Sequence, residues 1–312
     1  MITVSEELVV DYDLTARIAT EAFGLSDVVF AADRMKWLYE RGFGRGGIVV
    51  AATDDGAKIG QIACLHQTVQ SGGKPCSALQ LVDLFIAKDH RSSQLIRRIY
   101  REVEQLCADR NIRFILAMPN ANSKSLNARM LKLKPMLSLS IRVGVGLLPP
   151  RRDKLKYSGT LKSLSAEQAA DLLSGFDTPA AENGLRWDGK ILFGRLNDPT
   201  SDYAIHVAAD VMLISSSRRA GGVGYTLLCG FFTRSPITAT SGDVRELVRA
   251  ACHFWKQPLF VYAGVNDNLA RLPGIPLPAR LRPPMLVQSR DLDPQAQETR
   301  FSRFQLIDSD FV

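Results

Sequence analysis

The chain has 312 residues, of which 46% are hydrophobic and 23% are charged, and its formal net charge is +7. This balance excludes a largely disordered protein, and the length gives room for two domains of about 150 residues each. No run approaches the roughly 18 consecutive apolar residues of a membrane-spanning helix, so no membrane partner is expected. The positive charge fits either an anionic ligand, such as a phosphate-bearing cofactor or nucleic acid, or a solvated basic surface.

Hydrophobic periodicity predicts helices and strands throughout the first half. The sequence Asp54-Asp55-Gly56 is a hairpin signal between the first two strands. The third strand is apolar at nearly every position, which predicts a central place in its sheet. Ser123 is the predicted N-cap of the last helix. The predicted helices cover residues 13–23, 31–41, 91–108 and 123–133, and the predicted strands cover residues 48–53, 58–68, 79–87, 112–118 and 137–148.

The second half predicts a similar order more loosely. A proline-rich stretch, 273–284, is expected to be an irregular loop. The predicted helices are 165–174, 184–195, 243–255 and a short turn at 266–272, and the predicted strands are 203–209, 211–217, 224–233, 258–263, 285–288 and 304–307.

Short sequence matches relate the two halves. Residues 36–41 (KWLYER) are echoed by 190–195 (KILFGR), and Phe114-Ile115-Leu116-Ala117 is echoed by Phe260-Val261-Tyr262-Ala263. The pair Asn120 and Asn122 reappears as Asn266 and Asn268. The offsets are near half the chain length, which is typical of two copies of one fold. The sequence therefore predicts a diverged duplication with domains at 1–150 and 151–312.

The cysteines and histidines give no metal or disulfide pattern. Neither a C-x-x-C pair nor metal-ligand spacing among His66, His206 and His253 is present, so no metal is expected. The N-terminus lacks the basic and apolar regions of a secretory signal, and a cytoplasmic location is expected. The five cysteines are scattered, at positions 64, 76, 107, 229 and 252.

Three segments of the first half resemble the GNAT superfamily of acyl-CoA-dependent acyltransferases. They are the hairpin 48–68, the segment 81–91, which looks like the family's central strand running into its cofactor loop, and the segment 117–123, which looks like the turn beside the acyl group. In the second half, 185–187 and the closing 304–310 are similar to tandem members. The resemblance implies an α/β fold (α+β mixed sheet) of two tandem GNAT-like domains, each a central mixed, mainly antiparallel sheet flanked by helices.

The same resemblance implies an N-acyltransferase that moves an acetyl group from acetyl-CoA to a small-molecule amine, with the cofactor in the first domain. The family's cofactor loop presents backbone N–H groups and a helix N-terminus to the pyrophosphate. Arg91 matches its first position, whereas Gln94 and Ile96 replace small residues. Alternatively, Ser92 or Ser93 is only a helix cap and Arg91 a surface charge. The second copy has no equivalent loop at 233–243. The implied cofactor-binding residues are Phe85, Ile86, Arg91, Ser92, Ser93, Gln94, Leu95, Asn120 and Ser123.

Two residues are candidates for the chemistry. Asp83 interrupts the apolar third strand, which fits a base that deprotonates the amine or a group that orients it. Alternatively, Asp83 caps a backbone kink. Asn122 is placed to hydrogen-bond the cofactor, although Asn120 and Asn122 also suit a simple turn. The tyrosine that the family uses as an acid is missing from 123–133. His90 either adds charge beside the phosphate site or is an ordinary loop histidine.

Two other functions remain open at this stage. One is a non-catalytic binding protein that kept the fold. The other is a transferase that takes an aminoacyl group from tRNA, as tandem GNAT-fold ligases do. The sequence has no basic stripe with interleaved aromatic residues, which disfavours a nucleic acid partner. No motif identifies the acceptor.

Overall fold

The structure is a computed structural model, and it describes residues 1–24, 30–178, 182–234, 238–293, 295 and 299–310. In the first half, the elements in chain order are β1 (Ile2–Glu6), α1 (Tyr12–Phe23), α2 (Ala32–Glu40), β2 (Gly47–Asp54), β3 (Ala57–Ser71), β4 (Lys74–Ile86), α3 (Ser93–Asp109), β5 (Phe114–Ala117), α4 (Ala121–Met130), β6 (Lys134–Leu139) and β7 (Ile141–Val145).

The second half follows with β8 (Tyr157–Gly159), α5 (Ala166–Leu173), β9 (Gly184–Leu185), α6 (Gly189–Leu196), β10 (Tyr203–Ala208), β11 (Val211–Ala220), β12 (Val223–Thr233), α7 (Ser241–Trp255), β13 (Leu259–Asn266), β14 (Ile275–Pro276), β15 (Met285–Asp291) and β16 (Arg303–Gln305). A 3₁₀ turn, Leu306–Asp308, follows β16. No helix in the described ranges is long and apolar enough to cross a bilayer.

Side-chain caps set the starts of the helices. Ser92 accepts a hydrogen bond from the Leu95 N–H at the start of α3. Thr240 forms a capping box with Asp243 at the start of α7. The predicted cap Ser123 is wrong, because Asn120 is the N-cap of α4 and Ser123 completes its capping box from inside the first turn. The helix consequently begins two residues before the predicted start.

The central sheet confirms the predicted fold class. β2, β3 and β4 are antiparallel, and the turn after Asp54 joins the first two as a hairpin, as predicted. β4 lies between β3 and β5, which confirms its predicted central place. The β4–β5 pair is parallel, as is the β12–β13 pair of the second half. Through β9 and β16 the two halves join into one continuous sheet.

The two halves exchange strands. The predicted single strand 137–148 is wrong, since it is two strands that separate at Ser140. β7 leaves the first half and pairs with β13 of the second. In return, β15 of the second half lies between β5 and β6 of the first. Backbone hydrogen bonding therefore crosses the predicted boundary at residue 150 in both directions.

The order α-α-β-β-β-α-β occurs in both halves, as α1 to β5 and, setting aside the short β9, as α5 to β13. The echoed segment 36–41 lies mostly in α2 and its partner 190–195 lies in α6. The prediction fails at two places in the second half. A predicted helix over 184–195 starts only at Gly189, where Asp188 caps it, and 266–272 forms turns without a helix. The duplication itself stays a prediction.

One hydrophobic core spans both halves. Trp187 of the second half is 1% exposed, and its ring centroid lies 5.7 Å from that of Phe43 in the first. Phe232 and Phe304 belong to the same cluster as Trp37 and Phe43. Each half would expose this apolar surface on its own.

We expect fragments 1–150 and 151–312 to fold only together, because each lacks a strand that the other supplies. When produced separately, neither should show a cooperative thermal transition by circular dichroism. When co-expressed, they should copurify through a tag on one fragment and unfold cooperatively. The full chain cleaved near residue 150 is the control. Cooperative unfolding of 1–150 alone, near the temperature of the intact chain, would contradict this expectation.

Candidate active site at the divergence of two parallel strands

The central cavity of the first half begins where β4 and β5 separate. Their parallel pairing joins Ala78–Leu81 to Phe114–Ala117 and ends there. β4 continues to Ile86, whereas the segment after β5 turns away at Met118 and Pro119 and leads into α4. The separation leaves a cavity of about 570 Å³. Its wall includes residues from both faces of the sheet, such as Val82 on one and Tyr100 on the other.

A β-bulge places Asp83 in this cavity. Ala63 pairs with Val82 and Gln61 with Phe85, so Asp83 and Leu84 together oppose one residue of β3. Asp83 has a φ of 48°, in the left-handed region, where aspartate is among the more tolerant residues. Such bulges bend a strand and redirect a side chain. The kink that was one interpretation of Asp83 is therefore present, and the carboxylate lines the cavity as well.

The Asp83 carboxylate has a defined hydrogen-bonded environment. The hydroxyl of Tyr39 donates to its Oδ2 at 2.7 Å, and Gln61 Nε2 donates to that hydroxyl at 3.0 Å. Burial raises the pKa of Asp83, while the Tyr39 hydrogen bond and the charge of Arg34 oppose the rise. Burial and the nearby Asp83 charge also raise the pKa of Tyr39, so its hydroxyl remains a donor.

The N-terminus of α4 and Arg91, in the loop before α3, border the same cavity. The Asn120 side chain accepts hydrogen bonds from the amides of Asn122 and Ser123 at the start of α4. Arg91, just before α3, donates from Nε to the Ile86 carbonyl at 3.1 Å and from Nη2 to the Ala22 carbonyl. Helix N-termini attract anions because their N–H groups and dipoles point outward. This part of the cavity therefore suits a phosphate-bearing ligand.

The structure brings most of the predicted site residues together. Ser92, Ser93 and Gln94 are exposed at the start of α3, next to Arg91. Leu95 is buried in the core under α3, and its N–H is used by the Ser92 cap. His90 does not line the cavity and lies 3.6 Å from an Asp54 oxygen. The predicted residues that line the cavity are Asp83, Phe85, Ile86, Arg91, Asn120, Asn122 and Ser123.

Asp310 lines the cavity but was not predicted. It comes from the second half, and Arg34 Nη2 donates to its main-chain oxygen at 2.7 Å. Burial, followed by the negative charge of Asp83, raises the pKa of Asp310 to about 6. The closing segment 304–310 was noted in the sequence, yet nothing local indicated that it reaches Asp83.

A series of hydrogen-bonded side chains in the cavity wall was also not predicted. The Tyr100 hydroxyl donates to Asn127 Oδ1 at 2.6 Å, and Asn127 Nδ2 donates to Gln288 Oε1 at 3.4 Å. Gln288 belongs to β15, the strand that the second half contributes. The strand exchange therefore supports the site directly.

The corresponding divergence in the second half is filled. Gln305 of β16 accepts a hydrogen bond from the Phe231 N–H at 2.8 Å and donates to the Phe231 carbonyl at 3.0 Å. Two glycines make room for this segment, because a Cβ on Gly230 would lie 2.7 Å from Ile307 and one on Gly264 would lie 3.0 Å from the Phe304 oxygen. β12 also has a bulge, at Cys229. The second half thus keeps the backbone geometry, but its own segment β16 occupies the gap.

Within the described ranges, no group of three or more His, Cys, Asp or Glu side chains is arranged to hold a metal ion.

Comparison with known proteins relates the chain to others by structure only. No family model and no curated protein matches the sequence. A probable N-acyltransferase from Enterococcus faecalis is similar over 95% of this chain and 73% of its own, with a TM-score of 0.65 and 12% identity.

Two further solved structures are also similar to this chain over most of its length. The similarity to a GCN5-related N-acetyltransferase from Anabaena variabilis covers 94% of this chain and 73% of that protein's chain, with a TM-score of 0.64 and 11% identity. The Saccharomyces cerevisiae N-myristoyltransferase with bound myristoyl-CoA covers 98% and 84%, with a TM-score of 0.59 and 12% identity. These similarities show that the chain has the GNAT fold, which confirms the predicted fold resemblance.

We expect Asp310→Asn to stabilise the protein at pH 7.5 and to have little effect near pH 4. The folded-state pKa of Asp310, about 6, lies above its ordinary value of 3.8. The folded wild type therefore loses stability as pH rises between these values and keeps that deficit above about 6, whereas the amide has no such penalty. The gain at pH 7.5 should be up to ~3 kcal/mol, measured by urea unfolding at both pH values. An equal difference at both would contradict this assignment.

Proposed function

We propose that this GNAT-fold chain is an acyl-CoA-dependent N-acyltransferase whose donor site is the cavity of the first half. The observation that carries the proposal is the gap between β4 and β5, because it opens into a cavity that is lined by the N-terminus of α4, by Arg91 just before α3 and by a carboxylate at the bulge. The donor is acetyl-CoA and the acceptor is a small-molecule amine. The three structural neighbours, by their names an N-acyltransferase, an N-acetyltransferase and an N-myristoyltransferase with bound myristoyl-CoA, support acyl transfer to nitrogen.

The backbone of β4 beyond the bulge suits the pantetheine arm. β5 pairs with this strand only as far as Leu81, so no strand covers Phe85 and Ile86 on that side, and of their polar groups the Ile86 carbonyl already accepts a hydrogen bond from Arg91. An amide-bearing arm laid in the gap would pair with them as a strand does. In the second half, the Gln305 amide pairs with Phe231 in this way. The chain itself therefore provides a precedent for amide binding in such a gap.

The start of α3 suits the pyrophosphate. The N–H groups of Ser93 and Gln94 lie in its first turn, where the helix dipole adds positive potential. Arg91 adds a positive charge and, through its bonds to Ile86 and Ala22, holds the shape of the loop. Gln94 is exposed, so its side chain is free to point away from a bound phosphate.

The acyl transfer itself needs few groups. The amine must lose a proton, and its nitrogen must then attack the thioester carbonyl. Asp83 binds or deprotonates the amine, with Tyr39 fixing its orientation. Asn122, in the first turn of α4, hydrogen-bonds the cofactor. Because α4 has no tyrosine, the leaving thiolate takes its proton from water near the helix N-terminus.

The second half serves as a wall and support rather than as a second donor site, because Gln305 occupies its gap. We place the protein in the cytoplasm, where acyl-CoA is available and its five cysteines, all free, stay reduced.

We expect Ser93→Asp to weaken acetyl-CoA binding at least tenfold without lowering the melting temperature. A carboxylate at the first position of α3 stabilises the helix dipole but repels the pyrophosphate. Isothermal titration calorimetry with acetyl-CoA and free coenzyme A measures the effect. Ser241→Asp is the matched control, since Ser241 is the first residue of the corresponding helix α7, and it should bind like the wild type. Equal weakening by both variants, or no binding by the wild type, would count against the donor site.

We expect Asp83→Asn to keep acetyl-CoA affinity within a few fold and to reduce the turnover of an amine acceptor by roughly 10² or more. Asparagine keeps the shape and tolerates the left-handed backbone, and it loses only the charge. Coenzyme A release during an amine screen, read with a thiol reagent, measures turnover. Full turnover by Asp83→Asn would remove Asp83 from the chemistry. Tight donor binding without turnover of any amine by the wild type would favour a binding protein.

A further inference from the structure

Asp310 is held firmly in position beside the proposed acyl site. Arg34 donates to its main-chain oxygen, and the buried Arg195 donates to the main-chain oxygen of Ser309. The Ser309 hydroxyl in turn donates to the Leu306 oxygen at 2.7 Å. Two arginines from different halves thus fix the backbone at this point. The Asp310 side chain has a fixed starting point from which it lines the cavity.

Neither arginine makes a close ion pair with the Asp310 carboxylate, although the charges of both act on it from a longer distance and lower its pKa. Each is bonded to main-chain oxygens of this segment, and no Lys or Arg nitrogen of the described residues lies within 4.0 Å of the Asp310 side-chain oxygens. Asp83 accepts a hydrogen bond from Tyr39, and the charge of Arg34 acts on Asp83 as it does on Asp310. Two carboxylates therefore share one cavity in which burial outweighs the arginine charges, so a further positive charge between them would be stabilised.

We propose, building on the acyltransferase function above, that the acceptor enters as a protonated primary amine, that its ammonium group binds between Asp83 and Asp310, and that Asp310 takes its proton. Asp83, held by Tyr39, orients the amine. Asp83 already accepts a hydrogen bond from the Tyr39 hydroxyl, whereas no side chain of the described residues donates to the Asp310 carboxylate, so Asp310 is the proton acceptor. The specificity that follows is for cationic amines over uncharged ones.

The reaction balances with these groups. The Asp310 carboxylate takes one proton from the ammonium group, and the nitrogen lone pair forms a C–N bond to the thioester carbon. The C–S bond breaks with its electron pair on sulfur. The nitrogen then loses a second proton. Of the two protons, one ends on the coenzyme A thiolate and the other is released to water, so the products are an amide, free coenzyme A and one proton.

The test compares two acceptors of the same size at pH 7.5, methylamine and hydroxylamine. Methylamine is protonated at this pH, as a lysine side chain is, whereas hydroxylamine is uncharged and needs no deprotonation before it attacks. Rates with acetyl-CoA are measured for the wild type, Asp310→Asn and Asp310→Glu, after subtraction of the uncatalysed reaction. Calorimetry with acetyl-CoA checks that each variant keeps its donor site.

We expect Asp310→Asn to lose roughly 10² or more of kcat/KM with methylamine and less than tenfold with hydroxylamine, and Asp310→Glu to recover part of the loss. A purely structural role would lower both rates equally, and that result would overturn the proposal. The proposal is also overturned if acetyl-CoA binds but neither amine is acylated by the wild type. Absence of acetyl-CoA binding by the wild type would instead contradict the acyltransferase function itself.

Discussion

The closing segment of the chain depends on a buried guanidinium. Arg303 is 2% exposed; it bonds to Glu182 Oε1, lies 3.7 Å from Asp308 Oδ1 and has its charge 5.0 Å from the centre of the Phe232 ring. Asp308 accepts hydrogen bonds from the Trp187 indole and from the Gln305 amide. Removing one partner of such a buried network commonly costs about 3–5 kcal/mol, because the other charge is left uncompensated. The network fixes the register of residues 304–310.

That register gives the two halves different roles. With Arg303 in place, Gln305 lies in the gap between β12 and β13 and satisfies Phe231 there. Five residues later the same segment reaches the cavity of the first half, where Arg34 binds Asp310. A single stretch of chain therefore closes one of two similar gaps and adds a carboxylate to the other. The asymmetry arises from where the closing segment binds, since both halves keep parallel strands that diverge and a bulge beside them.

Sequence patterns predicted what depends on local chemistry. The apolar run of β4, the Asp54-Asp55-Gly56 turn and the interrupting Asp83 were recognised because each has a signal within a few residues. The strand exchange was not recognised, because the apolar sequence of β5 is compatible with either β6 or β15 as its neighbour. Tertiary packing decides which of the two strands pairs with it. Asp310 was missed for the same reason, since its relation to Asp83 spans most of the chain. The predicted Ser123 cap was wrong because Asn120 and Ser123, three positions apart, form one capping box in which Asn120 is the cap.

The bulge in the second half helps to separate the structural from the chemical role of Asp83. At the corresponding place β12 has Cys229, which is buried, uncharged and not in the left-handed region. A bulge beside diverging strands therefore requires neither an acid nor a left-handed residue. Asparagine or glycine would adopt the left-handed backbone at position 83 equally well, and neither would place a charge in a partly buried position. The carboxylate is costly for the fold, and it occurs in the half whose gap is open. Costs of this kind concentrate where a protein binds or transforms a ligand, so the charge at Asp83 is best explained by what enters the cavity.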